Sequence, residues 1–124
     1  MKNKYLTLAA LSGFFCVALG AFAAHALSHI LEAKALSWID TGLKYQMFHT
    51  IAVLAVTLSA LRDNKFARLS MSSWLIGTLL FSGSLYALAF GVSNAIVWIT
   101  PIGGTLFLIG WISLAYGSFK NKSL

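Results

Sequence analysis

Six side chains in this sequence have the types and positions to do chemistry inside a membrane: His25, Gln46, His49, Ser84, Tyr86 and Thr100. Gln46 and His49 fall close together in one apolar run, and Tyr45 and His49, four residues apart, share a face of any helix through them. An imidazole or a carboxamide in an apolar segment is costly unless it finds a partner or water, so both are candidates for holding a ligand or handling a proton. The competing reading makes them interhelical hydrogen bonds worth about 0.6 to 2 kcal/mol each. Tyr86 is more often a packed residue with a satisfied hydroxyl than a reactive one, and an interfacial histidine such as His25 needs no special purpose.

The chemistry missing from the sequence narrows the choice. Its three acidic residues, Glu32, Asp40 and Asp63, lie outside the apolar runs, which removes the carboxylates usual in intramembrane hydrolysis and in ion-coupled transport. Ser84 and His49 could serve as nucleophile and base, but no third group to orient the histidine is evident, so we expect no enzyme. Metal binding is not expected, because two imidazoles do not make a site and Met47, two residues from His49, points elsewhere on a helix. Haem lacks an attachment motif and a second axial partner, and no cofactor is expected. Cys16 reads as a small buried apolar residue.

These groups must be positioned by the apolar runs that make up most of the 124 residues, at about 5–24, 43–61, 74–92 and 96–116. Each approaches the ~20 residues a helix needs to cross a ~30 Å hydrocarbon core. With 59% hydrophobic and 10% charged residues, the expected fold is all-α, a single integral membrane domain over 1–124 built as a four-helix bundle. The net charge of +6 is no nucleic-acid footprint, since the basic residues sit at the ends of the runs. Lys2 and Lys4, then Arg62, Lys65 and Arg68, then Lys120 and Lys122 share one side if the spans alternate, which puts both termini in the cytoplasm. Residues 2–24 also imitate a secretory signal, but the apolar run exceeds a usual signal core and is expected to be retained as span one.

Finer features follow from periodicity. Leu36, Ile39 and Leu43 recur at helical spacing opposite Lys34, Ser37, Asp40, Thr41 and Lys44, which predicts a short interfacial amphipathic helix between spans one and two. Trp38 and Trp98 are expected at the outer headgroup level, Trp74 and Tyr116 at the inner. Small residues at Gly83, Ala87 and Gly91, at Gly103, Gly110 and Gly117, and at Gly13 and Gly20 form stripes suited to close helix contact, within one chain or between chains. Thr100-Pro101 reads as a helix start with threonine as cap. Under this topology His25, Gln46, His49, Ser82, Ser84, Tyr86 and Thr100 all come to the outer half of the bundle. One copy of four short spans has neither the inverted repeats nor the broken helices of a transporter.

Four blocks carry a resemblance: Gly20-Ala21-Phe22-Ala23-Ala24-His25-Ala26-Leu27, Thr41 through His49 (TGLKYQMFH), Gly77 through Tyr86 (GTLLFSGSLY), and Ile99-Thr100-Pro101-Ile102-Gly103-Gly104 with Gly110-Trp111. Together and in order they closely resemble the small membrane protein family called domain of unknown function 423. Ala23, where the family pattern leads one to expect glycine, is a mild departure. The resemblance implies four helices in a bacterial inner membrane and no established reaction. Two functions stay open. One is a binding protein whose polar pocket, from His49, Gln46, Tyr86, His25, Ser84 and Thr100, takes a small ligand, a lipid headgroup or a proton. The other is an accessory subunit packing on a larger membrane complex, with membrane lipid and a homo-oligomer as further partners to consider.

Overall fold

Two asparagines begin two of the helices. In the computed structural model, which describes residues 3–121, the Asn3 side chain accepts from the Leu6 amide at 3.0 Å and caps α1, Lys4–His25. Asn64 accepts from the Phe66 and Ala67 amides at 2.9 and 3.2 Å and caps α3, Lys65–Ala89. These bonds satisfy amides that no helical carbonyl can reach. Between them runs α2, Ala33–Thr57, and the last helix is α4, Ile99–Lys120. Short 3₁₀ segments, Leu27–His29 and Asn94–Trp98, turn the chain at the opposite end. Lys2 and Lys122, two of the basic residues in the topology argument, lie outside the described residues.

The all-α expectation holds, and three segments, Lys4–His29, Lys65–Ala89 and Asn94–Lys120, are long and apolar enough to cross a membrane. The expected crossing at 43–61 is not among them. A separate interfacial helix is not seen either. Residues 34–44 run without a break into α2 as its first turns. Their apolar stripe faces protein: Ile39 is buried in a cluster with Leu19, Leu27, Tyr86 and Ala89, and Leu36 packs against it. An amphipathic stripe reports that a face is covered, not by what.

Helix α3 is the centre of the arrangement, pairing closely with α4 and with α2, while α1 leans on α2 and touches α3 only sparsely. The α3–α4 pairing is set by the absence of side chains. A Cβ at Gly103 would strike the Phe81 backbone, at Gly110 the Trp74 indole, and at Gly117 the Phe66 Cβ at 2.7 Å. Gly77 is the reciprocal position on α3, where a Cβ would stand 2.9 Å from the Phe107 ring. Gly42 does the same for α2 against Tyr86, and Ser82 Oγ donates to the Gly42 carbonyl at 2.7 Å. The stripe at Gly83 and Gly91 meets nothing within 4 Å, so of the expected small-residue faces the one on α4 is used most fully.

Trp74 corrects an expectation: it is 0% exposed, packed at 4.5 Å centroid distance on Trp111, and no anchor at the inner surface. Its Nε1 is the one buried side-chain polar atom among the described residues without a hydrogen-bond partner. Trp98 stays exposed, Tyr116 is half-exposed beneath Lys120, and Trp38 lies under Lys34. Large apolar side chains cover the outside, with Phe14 75% and Phe119 86% exposed, a surface that suits lipid and would be a liability in water.

Candidate functional site

The continuous α2 changes where its polar residues sit. Because the helix starts at Ala33, Gln46 and His49 fall at about its fourth and fifth turns, not its first two. They also point different ways. Gln46 faces α1 and α3, whereas His49 faces α4.

Gln46, 5% exposed, ties three helices together. Its Nε2 donates to Ser12 Oγ at 3.0 Å and to the Ser12 carbonyl at 3.3 Å, and its Oε1 accepts from the Tyr86 hydroxyl at 2.7 Å. Ser12 Oγ continues the chain to Thr50 Oγ1 at 2.7 Å. Thr50 is four residues beyond Gln46 on the same face of α2, which is why one serine of α1 can meet both. Ser12 lies about 12 Å along an α1 that is about 33 Å long, so the network is near the middle of that helix and not toward its C-terminal end, where the expected site lay.

His49, 3% exposed, is held by aromatic neighbours. The Trp111 indole N–H donates to Nε2 at 3.0 Å, which leaves Nδ1 to carry the proton and donate to the Tyr45 carbonyl at 2.8 Å. Phe107 stacks on the ring at 3.7 Å centroid distance and 8° between planes, and Phe48 meets it edge-on at 5.2 Å. Both ring nitrogens are occupied and both flanks filled. The side chain fastens α2 to α4 where the two backbones stay apart.

Of the remaining candidates, Ser84 and Thr100 form a separate hydrogen-bonded pair that joins the last turns of α3 to the first turn of α4, with Ser84 Oγ also 2.8 Å from the Phe81 carbonyl. Thr100 therefore does not cap α4, whose preceding residue is Trp98 with no side-chain cap. His25 is exposed on the last turn of α1, apart from both networks. The six residues are thus divided among several places. Gln46 and Tyr86 come together, Ser84 and Thr100 come together, and His49 and His25 stand elsewhere.

A cleft opens where α1 fails to close on α3. It encloses about 400 Å³ between Leu8, Leu11 and Phe15 of α1 and Leu75, Leu79 and Gly83 of α3, with Ser12, Gln46 and Tyr86 at its floor. Its walls are apolar. The floor adds little polarity because those three residues consume one another's donors and acceptors. Ser12, Thr50 and the cleft-facing leucines were not among the candidates from sequence. A hydroxyl in the middle of an apolar span, and the four-residue spacing of Gln46 and Thr50, are the signals that point to them. Among the described residues no three His, Cys, Asp or Glu side chains converge as metal ligands.

Residues 19–104 match the model of a family described as "Protein of unknown function (DUF423)". A Haemophilus influenzae protein named "UPF0382 membrane protein" is 93% identical over 124 residues, covering all of both chains. The Escherichia coli K12 "UPF0382 inner membrane protein YgdD" is 45% identical over 98% of this chain and 95% of its own. Bacillus subtilis "UPF0382 membrane protein YwdK" is 34% identical over 94% of this chain and 96% of its own. No solved structure matches.

Proposed function

This chain belongs to the family described as protein of unknown function DUF423, whose bacterial relatives are named membrane proteins, and on that premise we propose that it is a non-enzymatic binding protein that takes an amphipathic molecule into the α1–α3 cleft. The observation that carries this reading is the cleft itself: about 400 Å³ of mostly apolar space, open sideways toward lipid and floored by the Gln46 network. Well-formed apolar pockets with a few convergent polar groups are the usual form of small-molecule sites. His49, expected at the centre of the site, is in this reading structural.

The proposed setting is a bacterial inner membrane crossed four times, with α2 as the fourth span. Met47, Phe48 and Ile51 expose apolar surface outward, while Gln46, His49, Thr50 and Thr57 are buried in protein. From Gln46 onward the polar residues of α2 are therefore not the ones lipid would meet, and its exposed charges lie in the first half of the helix, where Asp40 and Lys44 pair with one another at 2.8 Å. Lys4, Arg62 and Arg68 line one pocket at a single end of the bundle, which supports placing that end, with both termini, in the cytoplasm.

Gly83 supplies the test, since a side chain there meets nothing within 4 Å and would project into the cleft. Native mass spectrometry of the protein extracted gently from its own membrane should show a retained small amphiphile that Gly83→Leu loses. Retention by both forms, or by neither, rejects the reading. The second reading, an accessory subunit, draws on the same uncovered Gly83 and Gly91 face. It gains support if a copurifying protein, in place of a small molecule, disappears in the variant.

A further inference from the structure

A second cavity, about 510 Å³, continues the same seam at its basic end and is lined by Asn3, Lys4, Tyr5, Thr57, Arg62, Asp63, Arg68 and Met71. The two spaces share their helix faces. On α1, Tyr5 of the lower cavity and Leu8 of the cleft are one turn apart; on α3, Met71 and Leu75 are likewise one turn apart. The Tyr5 hydroxyl bonds Ser72 Oγ at 2.8 Å and so joins α1 to α3 at the level where polar lining gives way to apolar walls; a chain running from one cavity to the other passes on the open, lipid-facing side of this bond. Three cations and one carboxylate face the lower cavity, and the carboxylate, Asp63, is exposed and stands 3.9 Å from Arg62. The mouth is thus net positive, with Tyr5, Asn3 and Thr57 as further hydrogen-bonding groups.

We infer that an anionic phospholipid occupies this seam, its phosphate among Lys4, Arg62 and Arg68 and one acyl chain lying along Leu8, Leu11, Phe15, Leu75 and Leu79. The inference rests on the binding-protein reading above and names its ligand. Charge complementarity selects the headgroup, since guanidinium forks pair with phosphate oxygens and basic residues at a membrane surface attract anionic lipid. Dimensions select the tail. From Tyr5 to Phe15 the seam runs ten residues, about 15 Å, or half of the ~30 Å hydrocarbon core, the depth of one leaflet. The contact of Phe15 with Tyr86, 5.9 Å between ring centroids, then stands where an acyl chain from that leaflet ends.

The test uses the full-length protein in detergent, titrated with phosphatidylglycerol or phosphatidylcholine and read by native mass spectrometry. Wild type should retain phosphatidylglycerol at least five-fold better than phosphatidylcholine, and millimolar inorganic phosphate should not displace it. Replacing the mouth charges (Lys4→Gln, Arg62→Gln, Arg68→Gln) should remove that preference. Replacing three basic residues outside the seam (Lys34→Gln, Lys65→Gln, Lys120→Gln) should leave it within two-fold. Equal loss in both triples, displacement by phosphate, or no preference in wild type overturns the inference. Gly83→Leu separates the two claims: if it abolishes retention of both lipids while the mouth triple changes nothing, the cleft reading stands and the headgroup assignment fails. All six replaced side chains are solvent-exposed, so neither triple threatens the fold.

Discussion

The two seams that α3 makes with its neighbours are built from similar residues to opposite ends. Against α4, glycines at 77, 103, 110 and 117 bring the helices so close that a single Cβ would collide, and the interface is filled by Trp74, Phe81 and Phe107. Against α1, Gly83 faces open space, and the contacts across the seam include the Tyr5 hydroxyl with Ser72 and the Arg68 carbonyl near one end and Tyr86 with Phe15 further along. A small residue in a membrane helix permits close approach but does not compel it. Closure takes a bulky neighbour ready to fill the notch. Trp74 and Phe107 do this for α4, whereas α1 offers Leu8, Leu11 and Phe15 as walls of a cleft.

Substitutions can break this contrast at either seam. Gly103→Leu forces a side chain into the Phe81 backbone and should cost about 3 kcal/mol or more; thermal unfolding in detergent should show a strongly destabilised or misfolded protein. His49→Ala empties a stacked, doubly bonded position and should cost about 2–3 kcal/mol. It should nevertheless leave the occupant of the α1–α3 cleft in place, because His49 faces α4. Gln46→Leu leaves the Tyr86 and Ser12 hydroxyls without their shared partner and should cost about 1–2 kcal/mol, with weakened retention of the bound amphiphile. The smallest change is Gly83→Ala, which should raise stability by up to about 1 kcal/mol through helix propensity alone. A large loss there would mean that the α1–α3 seam closes as tightly as its counterpart.

Much of the architecture was legible because lipid imposes strong rules. The limits 5–24 and 96–116 lie within a few residues of α1 and α4. Residues 34–44 read as a separate interfacial helix and the charged 65–73 as part of a connection, yet a bundle's helices extend past the hydrocarbon wherever neighbours still cover an apolar stripe. The site was legible only in part. Gln46 and Tyr86 were found because polar groups in apolar runs stand out, and they do meet. Which way each residue faces depends on the rotation of α2 about its axis. Packing against α1 and α4 fixes that rotation, and a single sequence does not display it. Ser12 looks in sequence like any hydroxyl in an apolar run, and Arg62 and Arg68 report there on topology alone. Only the fold shows that they share a cavity with Lys4.

The hydrogen bonds of α2 also bear on how the chain is made. In the proposed four-span arrangement, α2 reaches the membrane with Gln46 and Thr50 paired only to Ser12 of α1, and with His49 paired only to the Tyr45 carbonyl of its own helix. Tyr86, which completes Gln46, is synthesised 40 residues later, and Trp111, which completes His49, 62 residues later. At a bilayer centre such side chains resist entry one helix at a time. Helix α2 would therefore settle only as α3 and α4 arrive, so that insertion of this small protein is a concerted event and not a sequence of independent crossings.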